Sequence, residues 1–236
     1  MKRYLFVLLL VVLSSWLPAM AGDFSVSPVH VHLSDHHKIA TLIITNLQGT
    51  KLTVQASALS WRQIDGVNSY NNSVNLIISP PLFSIPPHDQ QIVRVGWIGA
   101  FPKETERDLH LVFHEVPMPP KPGFTGVQLV LRMVLPVFVA PTDALAAPHL
   151  SATLHKSDKY LLVHIANSGG VHGEVTQILV YSDNDLVMTK NILGYILPHE
   201  FINVRLPLPP PAHNQRLRVM LDTIQNGRTA TISATT

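Results

Sequence analysis

Cysteine is absent from the 236 residues of this chain, and charged residues make up only 14% of it. The first absence excludes disulfides, thiol nucleophiles and cysteine-ligated metals, so apolar cores must hold the fold together. The formal net charge is +2 with histidine neutral. So small an excess provides no field to attract nucleic acid, and we expect no nucleic-acid partner.

Long apolar runs are absent after the N-terminus, where residues 1–21 have the pattern of a secretory signal peptide. Lys2 and Arg3 precede the apolar run 4–17, and Ala19-Met20-Ala21 forms a small-x-small cleavage site. That run is shorter than the roughly 20 residues that span a bilayer. We therefore expect export to the bacterial periplasm, with no membrane insertion of the mature chain; an uncleaved anchor is the alternative.

Removal of this segment also removes the net charge. The segment holds two of the 17 basic residues and none of the 15 acidic ones, which leaves 15 against 15 in the mature chain. Catalytic motifs are missing as well: there is no GxSxG, no Gly-rich phosphate loop and no close pair of carboxylates in an apolar setting. The sequence predicts a binding protein without cofactors rather than an enzyme.

Helical periodicity is also missing, because no stretch keeps a 3.6-residue apolar period for three turns. Short runs rich in β-branched residues recur instead, separated by Pro, Gly, Asn and Asp. Seven strands, an elbow and seven more strands predict an all-β fold of two immunoglobulin-like sandwiches. We predict strands at 24–33, 39–46, 52–61, 76–79, 90–97, 109–116, 127–139, 150–155, 160–167, 174–181, 186–193, 200–207, 216–222 and 229–233.

The elbow divides the chain into an N-terminal domain at 22–141, a linker at 142–149 and a C-terminal domain at 150–236. The linker contains alanine and proline and ends near Pro148. We expect the first core to include Trp61, Leu109, Leu111 and Phe113.

The predicted strand from Val127 to Val139 is unusual. Its 13 residues would extend over about 43 Å, against five or six residues in a usual strand. Every odd-numbered residue in it is apolar. A strand that ends a sandwich usually lies at a sheet edge, where a long apolar row causes aggregation unless something covers it. The strand is therefore either buried within its own domain or offered to a partner chain by β-augmentation.

Several segments occur in the order and spacing of a known family, and the first domain resembles the PapD-like periplasmic pilus chaperones. The likeness is greatest to the archaic branch of the chaperone–usher pathway. The segments are Ser27-Pro28-Val29, Ser79-Pro80-Pro81-Leu82-Phe83, Ile85-Pro86-Pro87, Gln91-Ile92-Val93-Arg94-Val95, 122–128 and 135–141.

This resemblance implies two immunoglobulin-like domains joined at an angle like a boomerang. The implied partners are pilin or fimbrial subunits, whose sandwich lacks its last strand, and an outer-membrane usher that receives them. The chaperone would lend the final strand of its first domain to the subunit, with Val127, Leu129, Leu131 and Met133 at the donor positions. Self-association of the free protein through the same edge remains an open alternative.

The family's usual carboxylate anchor is not matched. Many relatives hold the subunit's terminal carboxylate with an Arg in the first strand and a Lys late in the donor strand; His30 and Pro136 stand there in this chain. Proline has no donor, and histidine is only partly charged near neutral pH. Arg132 and Arg94 are the substitutes we predict beside His30, since a guanidinium fits a carboxylate. The alternative is an arginine satisfied by backbone carbonyls.

Histidine is frequent, with 13 in the chain, and His30, His32, His36 and His37 form the densest group. Alternate residues of a strand share one face, so His30 and His32 could share a metal. The alternative function is therefore a periplasmic metal-binding β-sandwich that uses His30, His32 and His36. No fixed ligand motif accompanies these residues, and we assign no metal site to the sequence.

Overall fold

The structure is a computed structural model that describes residues 24–73, 75–117, 119, 123, 125, 128–208, 217–225 and 228–235. In this part of the chain the only regular elements are 17 β-strands. None of it forms a helix long and apolar enough to cross a membrane. The predicted signal peptide at 1–21 and the predicted donor residue Val127 lie outside the described residues.

The first ten strands form two sheets that face each other. One sheet has the order β1-β3-β8-β6, and the other has the order β2-β10-β9-β4-β5, with β7 also paired to β4. The strands are β1 (Phe24–Ser27), β2 (Val31–Leu33), β3 (Ile39–Asn46), β4 (Leu52–Ile64), β5 (Val67–Asn72), β6 (Leu76–Ser79), β7 (Leu82–Ile85), β8 (Gln90–Trp97), β9 (Arg107–Glu115) and β10 (Arg132–Val139).

The last seven strands form a second pair of sheets, with the orders β11-β12-β15 and β14-β13-β16-β17. They are β11 (Leu150–Lys156), β12 (Tyr160–Asn167), β13 (Gly173–Ser182), β14 (Asp185–Ile196), β15 (Phe201–Pro207), β16 (Leu217–Gln225) and β17 (Arg228–Thr235).

Each pair of sheets encloses its own apolar core, because strand residues alternate between the inner and outer faces. The first core contains Leu109, Leu111 and Phe113, as predicted. The second core is built around residues such as Val163 and Val219. The fold class of two β-sandwiches is therefore confirmed, while the domain boundaries chosen from the sequence stay a prediction.

Trp61 does not belong to the first core, and that expectation was wrong. The inward residues of β4 are even-numbered, from Leu52 to Ala58, whereas Trp61 lies on the opposite face. It is nevertheless only 6% exposed, because it packs against Phe138 and Leu197 where the two sandwiches meet.

The strand expected at 127–139 is shorter than predicted, since β10 begins at Arg132 and residues 128–131 are not part of it. The neighbouring strand β9 ends at Glu115, and by the register of the pair Glu115 is opposite Leu131. β10 therefore begins where the strand that it pairs with, β9, ends.

The strand predicted at 24–33 is divided into β1 and β2. β5 and β7 were not predicted, and β5 is largely polar and has no apolar alternation.

Candidate functional site

β10 is paired along the whole of one edge but only at one end of the other. β9 pairs with it from Arg132 to Val139. β2 pairs with it only through Val137, Phe138 and Val139. Within the described part of the chain, the stretch from Arg132 to Pro136 therefore has an edge with no strand beside it.

The direction of the backbone groups shows what this open edge offers. The Glu115 N–H donates to the Leu131 carbonyl at 2.9 Å, so the odd-numbered residues of β10 point their backbone groups at β9. The even-numbered residues point the other way, and Arg132 and Val134 present backbone donors and acceptors at the open edge. Pro136 presents only its carbonyl there, because proline has no N–H.

The odd-numbered side chains of β10 are apolar and share one face, and they become more exposed toward the start of the strand. Val137 and Leu135 are buried, at 0% and 4% exposure. Met133 and Leu131 are partly buried and pack against the same core. Leu129 is 81% exposed. The structure thus places two of the four predicted donor residues, Leu131 and Met133, at the border of the first core, while Leu129 is exposed before the strand begins.

The even-numbered side chains of β10 lie on the outer face of the sheet, which faces the second sandwich at one end. Phe138 is buried there at 1% exposure, Pro136 is half-buried, and Val134 is 41% exposed. Arg132 is exposed at the start of the strand. The same strand therefore presents its open edge at one end and enters the contact between domains at the other.

The contact between the sandwiches, which we call the joint, has an aromatic centre. Phe138 stacks on His172 of the second sandwich with ring centroids 3.6 Å apart. Tyr195 meets Trp61 edge-on at 5.7 Å and lies 5.4 Å from Phe138. Leu197 completes this cluster.

Directed hydrogen bonds surround the aromatic centre. The Gln63 amide donates to the Tyr195 carbonyl at 2.7 Å and accepts from the Leu197 N–H at 3.0 Å. His30 Nε2 lies 2.9 Å from the Tyr195 hydroxyl. Since the buried Gln63 satisfies both ends of its amide across the joint, these bonds specify one arrangement of the contact.

Two glycines allow the backbones to approach closely at the joint. A Cβ at Gly170 would collide with the carbonyl oxygen of Glu104, and one at Gly169 would collide with that of Ala147. The Glu106 N–H donates to the Gly170 carbonyl at 2.8 Å in the same place. The glycine pair therefore has a packing role that the sequence alone did not reveal.

The three predicted anchor residues are separated by the fold. His30 directly precedes β2 and contacts the joint, and Arg132 begins β10 in the same sheet. Arg94 lies on β8, in the opposite sheet, where it is opposite Thr41 and Ser79. The structure does not bring Arg94 together with the other two, and its role stays a prediction without geometric support.

Arg132 lies near a histidine that is kept neutral. His110 packs against Trp61 and Tyr70, with centroid distances of 4.4 and 4.9 Å. Burial, and to a smaller extent the positive charge of Arg132, lower the pKa of His110 to about 4. His110 is therefore largely uncharged near neutral pH.

The histidines singled out for metal binding do not form a cluster. His30 contacts Tyr195, His32 stacks on Phe138 at 5.4 Å, and His36 is exposed beside Asp35. Burial lowers the pKa of His32, and the neighbouring His172 and His30 lower it further. In the described ranges, no group of potential metal ligands contains any of these three histidines.

A group that sequence reasoning missed lies at the joint and consists of Glu106, Asp108 and His172. Glu106 and Asp108 share one face by their alternation, which the sequence could have shown. His172 is 66 residues away from Glu106 along the chain, and only the packing of the two sandwiches brings it to the carboxylates.

Comparison with protein families matches residues 23–144, just over half of the chain, to the family described as pili and flagellar-assembly chaperone, PapD N-terminal domain. A comparison with curated protein sequences returned no significant match.

Solved structures of similar fold include a chain of the CsuC–CsuE chaperone–tip adhesion subunit pre-assembly complex from Acinetobacter baumannii. It is 16% identical with a TM-score of 0.70, and the match covers 90% of this chain and 98% of that one. The Escherichia coli chaperone DraB is 19% identical with a TM-score of 0.61, over 89% and 95% of the two chains. A chain of the Salmonella enterica SafA pilin complex with the SafB chaperone is 16% identical with a TM-score of 0.61, over 89% and 94%.

Proposed function

Because the chain belongs to the family of pili and flagellar-assembly chaperones, we propose that it binds pilus subunits in the periplasm by lending them β10. The observation that carries this proposal is the open edge from Arg132 to Pro136, which continues outward to the exposed Leu129. A subunit that lacks one strand of its sandwich would gain both a hydrogen-bonding edge and an apolar row from it.

The apolar row contributes most of the binding free energy in this proposal. Leu129, Leu131 and Met133, together with Val127, would enter the hydrophobic groove of the subunit. Full burial of one such side chain stabilises a complex by about 1.5–3 kcal/mol, and ordering and association costs offset much of the sum. Leu129 contributes most among the described residues because it is almost fully exposed before binding.

Arg132 and His30 are the residues we propose for the terminal carboxylate of the subunit. Arg132 is exposed on the outer face of the sheet that carries the donor strand. Its guanidinium offers paired donors in a fixed fork. His30 lies at the joint with one ring nitrogen on the Tyr195 hydroxyl. A guanidinium forms two parallel hydrogen bonds to a carboxylate, so we expect Arg132 to contribute more than His30.

The proposed route places the chaperone between export and assembly. The capped subunit would be passed to an outer-membrane usher, which is the partner that family membership suggests. In this role the protein forms and releases complexes and catalyses no covalent reaction.

The test compares two exposed leucines. Leu129→Glu places a charge in the donor row, whereas Leu145→Glu places the same charge on a side chain that is 88% exposed and outside any strand. Each variant is co-expressed with a pilus subunit of the same organism, and the subunit recovered with the chaperone is quantified. We expect Leu129→Glu to reduce recovery about 10-fold or more, from the loss of one buried leucine, and Leu145→Glu to leave it unchanged.

Equal recovery with the two variants would contradict the donor-strand role. Circular dichroism spectra and urea midpoints of both variants show whether they remain folded. Leu131→Glu is a weaker test, because Leu131 packs partly against the first core and its substitution also destabilises the chaperone.

A further inference from the structure

A group of three potential ligands crosses the joint beside the stacked rings. Glu106 directly precedes β9, Asp108 lies on β9, and His172 directly precedes β13 in the second sandwich. One ligand-type atom from each of the three residues lies within 4.8 Å of the other two. Glu106 Oε1 accepts from the His172 backbone N–H at 3.1 Å and lies 2.6 Å from its Nδ1.

Glu106 and one oxygen of Asp108 are buried, and His172 is the ionic partner of Glu106. The Glu106 side chain is 3% exposed, and the Oδ1 atom of Asp108 is buried with no donor beside it, although the Glu106 and Asp108 carboxyl groups are close enough to share a proton in a hydrogen bond. Among the described residues, no lysine or arginine forms an ion pair with either carboxylate. Two close carboxylates in such a setting cannot both be charged at low cost unless a proton or a cation neutralises them. Burial accordingly raises the pKa of both acids, that of Glu106 to about 7.

We propose that Glu106, Asp108 and His172 bind a divalent transition-metal ion of the Zn²⁺ class, which links the two sandwiches. Two carboxylate oxygens and one imidazole nitrogen are ligands that Zn²⁺ and Mn²⁺ accept, whereas imidazole does not suit Mg²⁺ or Ca²⁺. The ion would supply the missing positive charge and satisfy Asp108 Oδ1.

The three ligand atoms need to move only slightly to hold the ion. Ligand atoms in a tetrahedral zinc site lie about 3.4 Å apart, which follows from bond lengths of about 2.1 Å. The 2.6 Å contact between His172 Nδ1 and Glu106 Oε1 would widen as the ion replaces the shared proton, and that proton leaves to solvent.

The surroundings hold the imidazole in place and leave access for the ion. The His172 ring stacks on Phe138 at 3.6 Å, which fixes its plane. Groups that orient a metal-binding histidine contribute strongly to affinity. Asp108 and Glu106 line a cavity of about 690 Å³. A second cavity of about 360 Å³ is lined by His32, Glu106, His172 and Glu174 among others. It provides an entry path and room for a water molecule as fourth ligand.

This site shares no residue with the open edge of β10 or with the His30, His32 and His36 group, although His172 stacks on Phe138 at the other end of that strand. A metal at the joint would fix the relative position of the sandwiches, while the open edge of β10 lies at the other end of the strand. Failure of subunit binding and failure of metal binding are therefore separate results.

The test uses the mature protein after treatment with EDTA and dialysis. Isothermal titration with ZnCl₂ is expected to show one saturable site in the wild type, and Asp108→Asn or His172→Gln is expected to weaken it at least about 10-fold. His36→Ala is the matched control, because His36 is exposed beside a carboxylate outside the joint. It should bind as the wild type does.

A second measurement does not depend on the variants. In the wild type, substoichiometric Mn²⁺ is expected to broaden the amide NMR signals of residues 106–108 and 170–174 before those of 34–38. Absence of saturable zinc binding in the wild type overturns the proposal. So does binding that Asp108→Asn and His172→Gln retain but His36→Ala loses, and so does broadening centred on 34–38.

Discussion

Phe138 of the first sandwich and His172 of the second stack nearly parallel, with their ring planes 15° apart and their centroids separated by 3.6 Å. Phe138 also lies at the end of β10 that pairs with β2, beyond the open edge, and its side chain is buried in the joint. One strand therefore carries both the proposed subunit-binding edge and the central contact between the domains.

The first prediction concerns the joint. Phe138→Ala should destabilise the protein by about 3–5 kcal/mol, because it removes a fully buried aromatic ring and leaves a cavity. Urea unfolding followed by tryptophan fluorescence, in a Trp97→Phe background so that Trp61 alone reports, measures the change at the joint. Leu186→Ala, on a side chain that is 51% exposed, is the control and should change stability by less than about 0.5 kcal/mol. A loss no larger than that of the control would contradict the importance of this stack.

The second prediction separates the two edges of β10. Val134→Pro removes an N–H that points to the open edge, so the chaperone should stay folded while subunit capture is lost. Met133→Pro removes an N–H that points to β9, so it should destabilise the first domain itself. Thermal unfolding and co-purification with a pilus subunit are measured for both. If Val134→Pro unfolds the domain as much as Met133→Pro does, the assigned direction of the backbone groups is wrong.

The third prediction concerns the carboxylate anchor. Arg132→Ala should weaken subunit binding by about 1.5–3 kcal/mol, the contribution of a hydrogen bond to a charged group. Arg94→Ala should have little effect, since Arg94 lies on the opposite sheet. Affinities are compared for a subunit with its free C-terminal carboxylate and for one with an amidated C-terminus. The effect of Arg132→Ala should disappear with the amide; an equal effect on both subunits would exclude Arg132 as the anchor.

The fourth prediction concerns pH. Burial and the nearby Arg132 lower the pKa of His110 in the folded protein to about 4, from an ordinary value of 6.5. The unfolded chain therefore binds more protons between these values, and the contribution of His110 to stability is present above about pH 6.5 and is lost as the pH falls toward 4. NMR titration of the His110 ring should give the low pKa. The positive charge of Arg132 lowers the pKa of His110, so Arg132→Ala should raise that pKa. An unchanged pKa would show that Arg132 is not near His110.

The fifth prediction concerns a buried amide in the second domain. Asn167 is 2% exposed and donates to the carbonyls of Val171 and Ile196 at 2.8 and 3.0 Å. Its Oδ1 accepts from the backbone N–H of His149 and Gly169. Asn167→Ala leaves these groups without partners and should cost at least about 1–3 kcal/mol.

The matched control is Asn191→Ala, which removes an exposed amide whose partner is the Gln177 side chain. Its unfolding midpoint in urea should stay near that of the wild type. Similar losses for the two variants would show that the Asn167 network does not stabilise the second domain.

Local patterns were enough for much of the fold. The strands at 39–46, 76–79, 90–97 and 160–167 have the predicted bounds, because each has turn-forming residues at both ends and apolar residues within. β5 was not predicted because its polar sequence has no alternation and it forms through pairing with β4. The apolar row of β10 could be predicted from parity alone, since odd-numbered residues of a strand must share one face.

By itself, the sequence determined the two β-sandwiches, the donor row and the resemblance that pointed to a chaperone, because these depend on short-range periodicity and on residue order. Only the tertiary structure decided that β2 covers just one end of β10, that Trp61 faces the second domain and that His172 meets Glu106. Pairing and packing between distant segments depend on which surfaces fit together, and no local pattern in a single chain contains that information.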